Sequence, residues 1–242
     1  MIAPWARCAI AATAVMAMTP GLGAQRPAPY TPPRLVTAEL PQLPSPTVAG
    51  GGEVVIEATV DSNGSLSRPV LMRSTAPYSQ LILDAITRWR FRPARAVGAD
   101  GTEGTVEGSV VIAAIYRPPT LFNGPTIGER PTPLAAGSGN AAVPVAMVSP
   151  LHPPLAITEA VVVYEILIDE AGQIREARSI TPQPGFDEAA FSALRQWKFL
   201  PASYRGRPAP TTAYAVFGFR TPVISGGSSV PPKPPLPVPP QR

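Results

Sequence analysis

Trp89-Arg90-Phe91-Arg92-Pro93-Ala94 returns as Trp197-Lys198-Phe199-Leu200-Pro201-Ala202, 108 residues further along the chain. The same offset pairs Glu57 with Glu165, Asp61 and Gly64 with Asp169 and Gly172, Ala85 with Ala193, and Gly98 with Gly206, with no gap from Glu53 to Gly98. A fixed period of this kind is the signature of one supersecondary unit used twice.

Upstream of each tryptophan the apolar pattern changes period. Val54, Ile56, Ala58 and Val60 alternate with other residues, as do Val162, Tyr164, Ile166 and Ile168, which predicts a strand with one core face in each copy. Asp61-Ser62-Asn63-Gly64 and Asp169-Glu170-Ala171-Gly172 follow, each opening on a short carboxylate and closing on a glycine, and read as hairpin turns. A calcium loop would need more oxygen ligands over a longer span. Second strands run from Leu66 to about Met72 and from Ile174 to about Ile180; Pro69 cannot donate to a ladder and marks the first of them as bulged or at an edge.

A helix comes next. Ser79 and Asp187 are read as N-caps, Tyr78 with Leu83 and Phe186 with Phe191 as staples across them. Ile82, Ala85, Ile86 and Trp89 form an apolar stripe matched by Ala190, Ala193, Leu194 and Trp197, so both tryptophans are read as core anchors. Pro93 and Pro201 end the helices. Third strands are expected from about Thr105 to Tyr116 and from about Thr211 to Phe219. The fold class is therefore α+β: two tandem ββαβ units, each a three-stranded antiparallel sheet with one helix packed on it.

Proline sets the expected boundaries, with 34 in 242 residues. Residues 1–24 combine a basic start, an apolar run from Cys8 to Met18 and small residues after Pro20, the plan of a signal peptide. The run falls short of the roughly 20 residues of a membrane span. Residues 25–48 form a Pro-rich spacer, 49–117 and 155–222 the two domains, 118–154 a Pro/Gly/Ala-rich linker and 223–242 a Pro-rich tail; the spacers are expected to be extended and unable to hold sheet ladders. Cleavage would make the chain periplasmic, and retention of the leader would leave it anchored at the inner membrane.

Composition narrows the chemistry. Cys8 is the only cysteine, so the mature chain has no disulfide to lean on. A formal charge of +4 is too small to imply a nucleic-acid partner. His152, the only histidine, lies among prolines, and neither a Ser-His or Cys-His pair nor a zinc ligand set can be assembled. No phosphate-cradling glycine loop opens a helix. No enzyme, cofactor or metal is expected; the working surface is taken to be backbone.

The order of alternating strand, Asp-x-x-Gly turn, second strand, capped helix ending in Trp-x-Phe-x-Pro-Ala, then Gly and an aromatic-rich strand resembles the C-terminal domain of TonB-like energy transducers, over about 53–117 and 159–220. The resemblance implies a periplasmic domain that contacts an outer-membrane receptor, whose N-terminal peptide adds as a strand beside the third strand. Carried onto this sequence, the partner-binding positions are Val106, Val110, Ile112 and Ala114, with Tyr214, Val216 and Gly218 in the second copy. The partner is then an outer-membrane receptor or another envelope protein. Cys8 to Met18 is shorter than the family's membrane helix, which leaves an alternative: a structural envelope adaptor, without energy transduction, whose repeats pack together as a pseudo-dimer.

Overall fold

The computed structural model describes residues 30–48, 50–117, 139–154, 156 and 158–221. The leader at 1–24 and the tail at 223–242 lie outside the described residues. The first half runs β1 (Tyr30–Thr31), β2 (Arg34–Thr37), β3 (Gly52–Val60), β4 (Leu66–Arg73), α1 (Tyr78–Ile86), β5 (Arg90–Arg92), β6 (Ala94–Val97), β7 (Glu103–Val106) and β8 (Gly108–Tyr116). The second half runs β9 (Pro144–Ala146), β10 (Ala160–Ile168), β11 (Ile174–Ser179), α2 (Asp187–Leu194), β12 (Lys198–Phe199), β13 (Ala202–Tyr204), β14 (Arg207–Ala209) and β15 (Thr211–Phe219). The described chain is mixed α and β, mostly strands, with two helices.

The long strands do not form separate three-stranded sheets as expected. They join in one six-stranded sheet of order β11-β10-β15-β8-β3-β4. Every neighbouring pair is antiparallel except the central one, where β15 runs parallel to β8 in register from Thr212 opposite Val110 to Gly218 opposite Tyr116. Parallel strands are stable only with both faces covered. Here α1 covers one face and α2 the other: Ile82, Ile86 and Trp89 pack on Val54, Ile56 and Val60, while Ala190, Leu194 and Trp197 pack on Val162, Ile166 and Ile168.

Each helix covers only its own half of its face, and the rest is closed by the stretches expected to be spacers. Leu35, Ala38, Leu40, Leu43 and Val48 join the α1 core with Val161 and Val163, and Ala141, Ala142, Val143, Met147 and Val148 join the α2 core with Val55 and Val111. The reading of 25–48 and 118–154 as unable to hold a ladder is thus corrected for residues 30–48 and 139–154. β1 pairs β6, β2 pairs β5 and β9 pairs β12. Proline forbids only the donor at its own position, and these are short strands outside the main sheet. Strands β3 and β10 are accordingly buried on both faces, not one: Val54, Val55 and Ile56 are all fully buried.

The local chemistry repeats. Asp61 Oδ1 accepts from the Asn63 and Ser65 amides, as Asp169 Oδ1 does from Ala171 and Gln173. Gly64 closes its turn at φ +80°, and a Cβ there would meet the Phe91 carbonyl oxygen at 2.0 Å, so the turn requires glycine twice over. The helix caps differ from expectation. Pro77 and Phe186 occupy the cap positions without a side-chain bond; Ser79 lies two residues inside its helix and Asp187 one, and both reach back, accepting from the amides of Thr75 at 3.0 Å and Gln183 at 2.5 Å. Their oxygens hold the loop before the helix. Trp89 Nε1 donates to the Glu39 carbonyl at 2.8 Å and Trp197 Nε1 to that of Val148 at 3.0 Å, tying each covering segment to its helix.

Candidate functional site

Five of the residues singled out as partner-binding, Val110, Ile112, Ala114, Tyr214 and Val216, are completely buried in the two central strands. β8 lies between β15 and β3, and β15 between β10 and β8, so neither third strand has an open edge in this arrangement. Gly218 stands opposite Tyr116, and a Cβ on it would fall 2.2 Å from the Tyr116 ring; its place in the sequence is explained by that close approach. Val106 is not on the sheet at all. The expected third strand of the first half breaks at Glu107, and its first part, β7, folds back on β6 across a turn at 98–102.

Sequence reasoning missed the polar centre of the molecule. Glu165, on β10, is 2% exposed and accepts from the Leu35 amide at 3.0 Å, the Tyr214 hydroxyl at 3.1 Å and Arg178 at 2.8 Å, with Arg34 at 3.3 Å. Three separate elements thus converge on one carboxylate. Burial, followed by the Glu165 charge, raises the Tyr214 hydroxyl well above its ordinary pKa, so it remains a donor. By the strand pairings, the positions of Arg178, Tyr214, Arg34 and Leu35 around Glu165 answer to Val70, Val111, Val143 and Pro144 around Glu57, so the polar set is not repeated there. The available signal was a glutamate inside a run of apolar residues, Val-Val-Val-Tyr-Glu-Ile-Leu-Ile, which reads as a central strand with a buried charge.

A buried arginine follows each third strand, both at the same end of the parallel pair. Arg220 donates to the Gly50 and Ser45 carbonyls and to the Tyr78 hydroxyl, each at 3.2 Å, and so binds the end of the second half to the first. Arg117 donates to the Pro150 carbonyl, and burial lowers its pKa.

The described residues enclose several surface concavities. One of about 580 Å³ lies between the halves, where Tyr30 stacks on Tyr204 at 4.4 Å and Arg68 pairs with Glu107. Another of about 710 Å³ separates α2 from residues 147–154. A third, of about 320 Å³, runs between β11 and α2. Among the described residues no cluster of His, Cys, Asp and Glu could hold a metal ion, and no helix is long and apolar enough to cross a membrane.

With the fold in place, the second half can be compared with known families. Residues 156–221 match the family described as Gram-negative bacterial TonB protein C-terminal. The match covers the strand, strand, helix and third strand from β10 to β15. Among curated proteins none matches the chain.

Proposed function

We propose that this chain is a TonB-like protein-binding adaptor of the periplasm, taking part in outer-membrane transport, whose two repeats close on each other as an intramolecular pseudo-dimer. The supporting observation is the parallel pairing of β8 with β15. Peptide addition at Val110, Ile112, Ala114, Tyr214 or Val216 would require that pairing to part along its whole length and two apolar faces to open with it. Two repeats closed on each other are therefore favoured over a receptor strand inserted beside a third strand. The role is non-catalytic: Glu165, the best-defined charged centre, is enclosed by four donors and serves the fold.

Amide hydrogen exchange on residues 25–242, with and without immobilisable N-terminal peptides of outer-membrane receptors, tests this. Peptides should be retained while the amides of β8 and β15 exchange as slowly as in the free protein. Faster exchange of those amides on peptide addition would overturn the sealed arrangement, and failure to retain any receptor peptide would overturn the receptor partner.

A further inference from the structure

The two margins of the six-stranded sheet are unlike. At β4 the ladder is interrupted: Pro69 lacks an amide hydrogen, Arg68 has φ +51°, and the pairing with β3 shifts register twice. Such features blunt an edge against further pairing. β11 has no proline, and its one register shift is at its start, opposite Leu167 and Ile168. Ile180 donates to the Val163 carbonyl at 2.8 Å. In an antiparallel ladder the backbone groups alternate, so Glu176 and Arg178 also turn theirs toward β10 while Ala177 and Ser179 turn theirs outward. Among the described residues no strand lies beyond β11.

A groove lies directly beside this edge. Ile174, Ala177 and Leu194 line it with Phe191, which is 41% exposed, unusual for a large aromatic on a helix that packs a core. Ser179 Oγ donates to Asp187 Oδ1 at one end, and the start of β11 at Ile174 lines the groove with Leu194 and Arg195 from the end of α2, so α2 runs antiparallel to β11. That direction brings Arg195, just past the end of α2, to the same end as Arg175, whose side chain is 67% exposed although its Nε donates to Asp169. Glu176 is the one carboxylate in the lining. An open edge with alternating donors and acceptors, an apolar trough beside it and paired guanidiniums at one end fit one kind of occupant.

We infer that β11 and the groove between it and α2 dock an extended peptide segment of a partner protein, paired by its backbone with Ala177 and Ser179, placing an apolar side chain on Phe191 and acidic residues beside Arg175 and Arg195. The inference rests on the adaptor reading, but not on the closure of the third strands.

The probe is a fluorescein-labelled peptide of alternating valine and serine closed by a pair of aspartates, compared with the same peptide closed by lysines, on residues 25–242. The aspartate peptide should bind in fluorescence anisotropy, slow exchange at the Ala177 and Ser179 amides, and bind about ten-fold more tightly than the lysine peptide. Ala177→Pro removes an amide hydrogen that points away from β10, so the ladder survives while binding falls about ten-fold or more. Arg195→Glu, at an exposed position, should erase the preference for aspartate. No binding of the aspartate peptide, equal binding of both peptides by the unaltered chain, unchanged affinity in a folded Ala177→Pro protein, or slowed exchange on β4 instead would each overturn the site. If receptor peptides are still retained when this probe is not, the β11 site fails and the adaptor reading stands.

Discussion

Trp89 and Trp197 do the same work with different neighbours. Trp89 meets the ring of Tyr214 edge-on at 5.5 Å, a residue of the other half, whereas Trp197 meets Phe217 of its own half at 5.4 Å. Replacing either with alanine removes a buried ring and the donor that holds the covering segment, a loss of about 3–5 kcal/mol, to be read from urea unfolding. Tyr214→Phe isolates the polar contribution at the centre. It keeps the ring against Trp89 but withdraws the donor to the buried Glu165, and should cost about 1.5–3 kcal/mol. The buried hydroxyls also set an alkaline limit. Burial pushes Tyr30 and Tyr164 up to about 12, and raises Tyr116 and Tyr214 as well. A raised phenol favours the neutral form in the folded state, so its contribution is complete below the ordinary value of 10.0 and is lost as pH climbs through about 12. The urea midpoint should therefore fall over that window, in step with the rise of tyrosinate absorbance.

At the scale of elements, the covering segments separate what was legible from what was not. Strand, Asp-Gly turn, strand, helix and tryptophan anchor were all readable because each is written in local pattern: period two, a carboxylate that ties its own turn, a 3.6-residue stripe. The segments at 30–48 and 139–154 carry their signal in isolated apolar residues between prolines, and what makes Leu35 a core residue is Phe91 and Glu165, far away in sequence. Composition there argued for a stiff spacer, but a segment that lies across a sheet face needs few ladder bonds. The distinction can be measured within one short strand. Leu35 is 8% exposed and its neighbour Val36 is 62% exposed. Leu35→Asp would bury a second carboxylate beside Glu165 and should cost about 3 kcal/mol or more, while Val36→Asp should stay within about 0.5 kcal/mol. Equal and small effects from both would return the segment to the status of a linker.

At the scale of the whole molecule, the pairing of β8 with β15 could not be seen in either half alone. The apolar third strands looked like peptide-binding edges because a lone three-stranded sheet has two open edges, and only the arrangement of the halves says which are used. The same arrangement makes each half incomplete. The match to the TonB-type domain covers 156–221, yet within that span Val161, Val163, Tyr214 and Val216 face a core completed by Trp89, Phe91 and Leu35 of the first half. Produced alone, residues 139–221 would expose that apolar face together with one edge of β15, a strand of nine residues left paired only with β10. Such a fragment should self-associate, giving a sedimentation pattern and a melting temperature that depend on its concentration, and residues 30–117 supplied in trans should restore a one-to-one complex by re-forming the parallel pair. The full chain, by contrast, should melt in a single concentration-independent transition, since neither face of its sheet can be opened without exposing the other half. A fragment 139–221 that remains monomeric and melts like the full chain would mean that the halves are independent domains in contact, and that the central pairing contributes little to holding either one together.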